Sequence, residues 1–188
     1  VLNNCGFVST AYWHNKETCR TRYSEVFGRF MDFLMLGVGM GSDVRGVGAF
    51  VVTKPAPVER VVCVVGDSRE DWVEALRCKL NTYFYGAPKF DFDFSQIRKE
   101  GALLKTLGGM SSGSAPLERL LNRVDEILTP LIGKSITTTA IADIFNEIGV
   151  CVVSGNIRRS AEILLGSSKD SEFGSLKDPY VIRNWTSK

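Results

Sequence analysis

A chain of 188 residues, 44% hydrophobic and 23% charged, has the balance of one good-sized globular domain. Its 23 basic and 21 acidic residues leave a net charge of +2, which excludes the strongly basic surface of a general nucleic-acid binder. No run of about 18 apolar residues is present, so no transmembrane helix is expected.

In chain order, residues 5–10 are short, apolar and β-branched and predict a strand. Across 21–37, Tyr23, Val26, Phe27, Phe30, Phe33, Leu34 and Leu36 repeat at helical spacing. Gly37, Gly39, Gly41 and Gly46 then predict a permissive loop over 37–46, with strand-like residues at 47–53. Residues 61–65 are continuously apolar and read as a short buried strand or the lead-in to a helix. Asp67 or Ser68 caps that helix, with Asp71 placed for a capping box. Trp72, Ala75, Leu76, Leu80, Tyr83 and Phe84 keep the helical period until Gly86. Residues 88–113 look irregular. Pro116 opens a helix to about Leu128, and a long helix is expected over 137–154. Its face carries Ile141, Ile144, Phe145, Ile148, Cys151 and Val152, and Gly155 follows its end. Asn156 to Arg159 is then a loop, Ser160 to Leu165 a strand, and 166–180 a polar loop. Mixed strands and helices throughout predict an α/β fold. Both ends look cut from a longer chain.

The five cysteines, Cys5, Cys19, Cys63, Cys78 and Cys151, are widely spaced and form no CxxC pair. This argues against a structural zinc site and a secreted disulfide framework, and points to a reducing, cytoplasmic setting. Cys5, at a strand start beside Asn3 and Asn4, suits thiol redox chemistry; the plainer reading is a small buried hydrophobe. Cys19, Cys63 and Cys78 read as structural. The 37–46 loop could approach a phosphate or ribose, although its glycines miss the G-x-G-x-x-G spacing and a simple turn is the plainer account. Loop 108–113 lacks the lysine of a P-loop. Arg158 and Arg159 suit phosphates or base edges, or else are two solvated charges. The one histidine, His14, has no ligand cluster around it, so no metal site is expected.

Six segments in order carry a resemblance. They are Asn3-Asn4-Cys5-Gly6-Phe7-Val8-Ser9-Thr10, Met35-Leu36-Gly37-Val38-Gly39-Met40-Gly41, and Gly66-Asp67-Ser68-Arg69-Glu70-Asp71-Trp72-Val73. Then follow Phe92-Asp93-Phe94-Ser95-Gln96-Ile97-Arg98, Lys105-Thr106-Leu107-Gly108-Gly109-Met110-Ser111-Ser112-Gly113, and Gly155-Asn156-Ile157-Arg158-Arg159-Ser160-Ala161-Glu162-Ile163. Together they resemble the monomeric, adenosylcobalamin-dependent (class II) ribonucleoside-triphosphate reductases over nearly the whole chain.

That resemblance implies a ten-stranded α/β barrel, of which residues 1–188 would hold much of the first half-barrel, with 66–113 matching the insertion of the monomeric members. It implies reduction of the ribose 2′-hydroxyl by thiyl-radical chemistry, with adenosylcobalamin as cofactor. Cys5 matches the first cysteine of the redox pair. Asn4, Gly39 and Gly41 are expected at the substrate. Asp43 and Arg45 fall in the first specificity loop, and Asn156, Arg158 and Arg159 in the second. The implied partners are a ribonucleoside triphosphate substrate, a deoxynucleoside triphosphate effector and a thioredoxin-like or other dithiol reductant. A cytoplasmic monomer, bound to neither membrane nor nucleic acid, is the expected parent. The Asn-Pro-Cys-x-Glu pattern of the radical cysteine, the second redox cysteine and the C-terminal dithiol are not among these residues. Met110 and Ser111 also depart from the residues commoner in relatives. The 188 residues alone are therefore expected to be inactive. The rival readings are a non-catalytic deoxynucleotide-binding module or reductase relic, and a structural half-barrel unable to fold alone.

Overall fold

The computed structural model describes residues 4–13, 23–103, 109–154 and 160–178. Strand β1 (Cys5–Val8) leads through a 3₁₀ turn (Thr10–Trp13) toward helix α1 (Tyr23–Met35), and β2 (Gly39–Asp43) follows. Next come β3 (Val61–Val64), α2 (Arg69–Phe84), β4 (Phe90–Asp93), α3 (Ala115–Leu128), α4 (Thr138–Val153), β5 (Glu162–Leu165) and the single turn α5 (Ser171–Gly174). The fold is α/β with parallel sheets, as the sequence implies.

One sheet has the order β1-β2-β5, with every pairing parallel. Cys5 pairs with Gly39 and Phe7 with Gly41, while Gly41 also pairs with Ile163. Alternation then assigns the faces. Gly6, Met40, Ser42 and Leu164 look toward the helices, where Met40 and Ser42 are buried. Cys5, Phe7, Gly39, Gly41 and Ile163 share the other face, on which Cys5, Phe7 and Ile163 are exposed. A second, two-stranded parallel sheet joins β3 to β4.

The core lies among the four long helices. Phe27, Phe30, Met31 and Leu34 of α1 meet Ile141, Ile144, Phe145 and Ile148 of α4, all buried. The rings of Phe27 and Phe30 stand 4.6 and 4.7 Å from that of Phe145. Each such side chain contributes about 1.5–3 kcal/mol by burial. Ion pairs tie the helices in series: Arg77 to Glu25 between α2 and α1, Lys79 to Asp125 between α2 and α3, and Arg123 to Glu147 between α3 and α4. The Ser68–Asp71 capping box starts α2, and Gly86 follows its end at φ +65°. Thr137 caps α4 by accepting from the Ala140 N–H.

Several expectations need correction. The predicted loop 37–46 contains β2, the central strand of the main sheet, because its neighbours on both sides supply hydrogen bonds that its glycines do not advertise. Residues 47–53 form turns rather than a strand, with Val51 making only an isolated bridge to Ser135. Residues 61–64 are a strand but not a buried one: Val62 is 67% exposed, since only one face of a two-stranded sheet meets α2. Residues 90–93, expected to be irregular, pair with that strand as β4, and the 166–180 loop contains α5. The readings on His14, Cys19 and the 155–159 loop lie outside the described residues.

Candidate active-site face

The exposed face of the main sheet gathers the candidate residues at one end. Cys5 opens β1, is exposed, and is a free thiol. The Asn4 carbonyl accepts from the Gly39 N–H at 2.9 Å, and the Ala161 carbonyl accepts from the Met40 N–H at 2.8 Å. This clamps β2 between β1 and the chain leading into β5. Asn4 is itself exposed.

Gly39 and Gly41 leave bare backbone between the side chains of the flanking strands. A Cβ on Gly39 would meet the Asn4 oxygen at 3.6 Å, the Ala161 oxygen at 3.8 Å and Cys5 Sγ at 3.9 Å. A Cβ on Gly41 would lie 2.5 Å from Cδ2 of Phe7 and 3.4 Å from Cγ2 of Ile163. The two glycines thus line a shallow trough between Cys5 and Phe7 on one side and Ile163 on the other, open beside Cys5 and covered at Gly41 by the Phe7 ring.

Asp43 and Arg45 differ sharply. Asp43 is buried, and its carboxylate accepts from Ser9 Oγ (2.6 Å), the Thr10 N–H (2.8 Å), Thr10 Oγ1 (2.7 Å) and the Arg45 N–H (3.3 Å). Its oxygens are therefore committed to the protein. Arg45 is exposed at the start of the turn that follows. Sequence reasoning missed Ser9 and Thr10, whose role comes from a contact 33 and 34 residues away along the chain. Asn156, Arg158 and Arg159 lie outside the described residues, between α4 and β5.

The other cysteines stand apart from the trough. Cys151 is buried in α4. Cys63 of β3 and Cys78 of α2 are half-buried free thiols, and Cys78 Sγ donates to Glu74 Oε1 at 3.9 Å. Burial, reinforced by Cys63 and Glu74, pushes the Cys78 thiol up to about 12. A cavity of about 320 Å³ on the helix side of the sheet is lined by Ser42, Asn146, Glu162 and Lys177 among others. Partial burial raises the Glu162 carboxyl above its usual range, with Lys177 opposing the shift. Among the described residues no group of three His, Cys, Asp or Glu side chains could hold a metal ion, and no helix is long and apolar enough to cross a membrane.

Comparisons with known proteins point to one family. Residues 45–128 match the family model described as the insertion domain of B12-dependent ribonucleotide reductase. An adenosylcobalamin-dependent ribonucleoside-triphosphate reductase of Euglena gracilis is 45% identical over 181 residues, covering 94% of this chain and 24% of that protein. A probable enzyme of the same name from Dictyostelium discoideum is 37% identical over 194 residues, covering 95% of this chain and 25% of that protein. The Lactobacillus leichmannii enzyme is 41% identical over 116 residues, covering 59% of this chain and 16% of that protein. A crystal structure of a B12-dependent (class II) ribonucleotide reductase superposes with a TM-score of 0.79 at 27% identity, over 95% of this chain and 31% of that one. The chain thus spans about a quarter of the length of the first two relatives.

Proposed function

Because the chain belongs to the B12-dependent ribonucleotide reductases, we propose that the whole protein reduces ribonucleoside triphosphates to deoxyribonucleotides and that Cys5 is one thiol of its redox pair. The observation that carries this is the placement of Cys5. It stands exposed on the outer face of a parallel sheet, beside Gly39, whose missing side chain leaves room next to the thiol. Parallel sheets are normally covered on both faces, so an uncovered apolar face suits the inside of a barrel that holds substrate.

In the reduction, the ribose C2′–OH bond breaks and the oxygen leaves as water. A C2′–H bond takes its place, and two thiols give up two electrons and close a disulfide. Cys5 supplies one of those thiols. By the family resemblance, its partner is assigned to the part of the relatives' length that this span does not match. Adenosylcobalamin supplies the radical that starts the reaction in the whole protein. Following the family resemblance, its contacts are assigned mostly to the same unmatched part.

The same reading makes Asn4, Gly39 and Gly41 the substrate-side floor, and Arg45, Asn156, Arg158 and Arg159 the residues toward a deoxynucleoside triphosphate effector. Asp43 supports the first of these loops from beneath. Residues 66–113 are assigned to the insertion of the monomeric members. A cytoplasmic monomer recycled by a thioredoxin-like or other dithiol reductant completes the assignment.

Cys5→Ser in the whole protein tests it. Multiple-turnover reduction should be lost while radical formation, followed by electron paramagnetic resonance, continues. Multiple turnover sustained by a dithiol reductant in that variant would remove Cys5 from the redox pair.

A further inference from the structure

We propose that Asp43 is a positioning residue that ties the Cys5 strand to the turn carrying Arg45, so that a deoxynucleotide seated against this turn alters the Cys5 thiol. The proposal rests on the effector-loop reading above and adds its physical route. Asp43 and Thr10 are both buried, 4% and 1% exposed. One carboxylate takes donors from two segments: Ser9 Oγ and Thr10 from the end of β1, and the Arg45 N–H from the turn. Thr10 Oγ1 closes the loop by accepting from the Gly46 N–H at 2.8 Å. The first two amides of the turn and the first two residues after β1 therefore share a single polar cluster centred on the buried Asp43 and Thr10.

Such a cluster moves as a body, because separating its members strands buried donors without partners. The far side of the turn is held independently. The Gly48 N–H donates to the Ile136 carbonyl, the Ile136 N–H to the Phe50 carbonyl, and the Val52 N–H to the Lys134 carbonyl, at 2.9, 3.0 and 2.9 Å. Displacement of residues 45–47 is thus passed toward Asp43 rather than along the chain. From Asp43 it reaches β1, a four-residue strand that pairs only with β2 among the described residues. Ser9 and Cys5 lie on the same face of this extended segment, so a shift at Ser9 is felt at Cys5.

The test uses the whole protein with Thr10→Val and Thr10→Ser, and dATP and dGTP as probes. Two quantities are read: nucleotide Kd, and the rate at which iodoacetamide alkylates Cys5, followed by peptide mass spectrometry. In the wild type a saturating nucleotide should change the Cys5 rate by about fivefold, the low end of ordinary allosteric couplings. Thr10→Val, which removes the hydroxyl at nearly constant shape, should bind nucleotide as before and lose that response; Thr10→Ser should restore it. A Thr10→Val protein that keeps the full response overturns the proposal. So does a wild type that binds nucleotide with no change at Cys5, and in that case the effector-loop reading survives. If neither nucleotide binds the wild type, the effector-loop reading itself falls and this inference with it. Should Thr10→Val not fold by circular dichroism, Ser9→Ala, which removes one bond to Asp43, is read by the same two quantities.

Discussion

Cys5 and Gly39 face each other across β1 and β2, and Cys5 Sγ lies 3.9 Å from where a Gly39 Cβ would stand. That spacing is an ordinary van der Waals contact, so Gly39→Ala meets no steric barrier. Two strand positions on, the same face is tight, since a Cβ on Gly41 would fall 2.5 Å from the Phe7 ring. Gly39→Ala should leave stability unchanged or raise it by about 0.5–1 kcal/mol, because alanine loses less chain entropy than glycine in a strand. Gly41→Ala should destabilise by about 1–3 kcal/mol as Phe7 is forced aside. Urea denaturation of the two variants checks the contrast. Equal effects would show that the trough is not packed as described.

A second glycine is predicted to be sensitive for a different reason. A Cβ on Gly28 of α1 would lie 2.5 Å from Arg77 Nε, an atom that is buried and has no hydrogen-bond partner. Arg77 needs this close approach to α1 to reach Glu25 at 3.0 Å. Gly28→Ala gains about 1 kcal/mol of helix propensity and loses about 1–3 kcal/mol by crowding. The expected net result is a lowered thermal midpoint. Pairing it with Arg77→Ala should recover the propensity gain, which a double-mutant cycle measures.

Thiol reactivity should separate the cysteines. Cys5 is exposed, whereas the Cys78 thiol is pushed up to about 12 by burial beside Cys63 and Glu74. At pH 8 a thiol with that value is ionised to only about 1 part in 10⁴, and only the thiolate reacts. Iodoacetamide should label Cys5 well before Cys78 in the native protein, with both labelled at similar rates in guanidinium. Peptide mass spectrometry over a time course decides it.

Raised values also set a direction for alkaline stability. Burial holds Tyr83, like Cys78, up at about 12. Both groups keep their protons longer when folded than when unfolded. Their contribution is intact below the unfolded values near 9 to 10 and is lost as pH rises through 12. The urea midpoint should therefore fall between pH 9 and 12. Tyr83→Phe, which removes one of the two groups, should flatten the slope.

The cap of α2 offers a local check. Ser68 Oγ accepts from the Asp71 N–H at 3.1 Å, and the Asp71 carboxylate accepts from the Ser68 N–H at 3.3 Å. Ser68→Ala should cost about 1 kcal/mol, with an unchanged denaturant slope.

What the sequence determined on its own is local. Helix α4 was legible because Ile141, Ile144, Phe145, Ile148 and Cys151 repeat at the helical period and are in fact buried. Helix α2 was legible because Ser68 and Asp71 form a cap from residues three apart. Cys5 was singled out by its position at a strand start and by the family resemblance. What only the tertiary structure decided is everything that depends on partners distant in sequence. Gly39 to Asp43 has the composition of a turn, yet it is the central strand, because Asn4 and Ala161 hydrogen-bond it from both sides. Asp43 reads as a charge available to a ligand, yet Ser9 and Thr10 consume its oxygens. Helix periodicity and caps are written within a few residues of the chain. Strand pairing and the burial of a carboxylate are settled by hydrogen bonds that form only when segments some thirty or more residues apart are brought together.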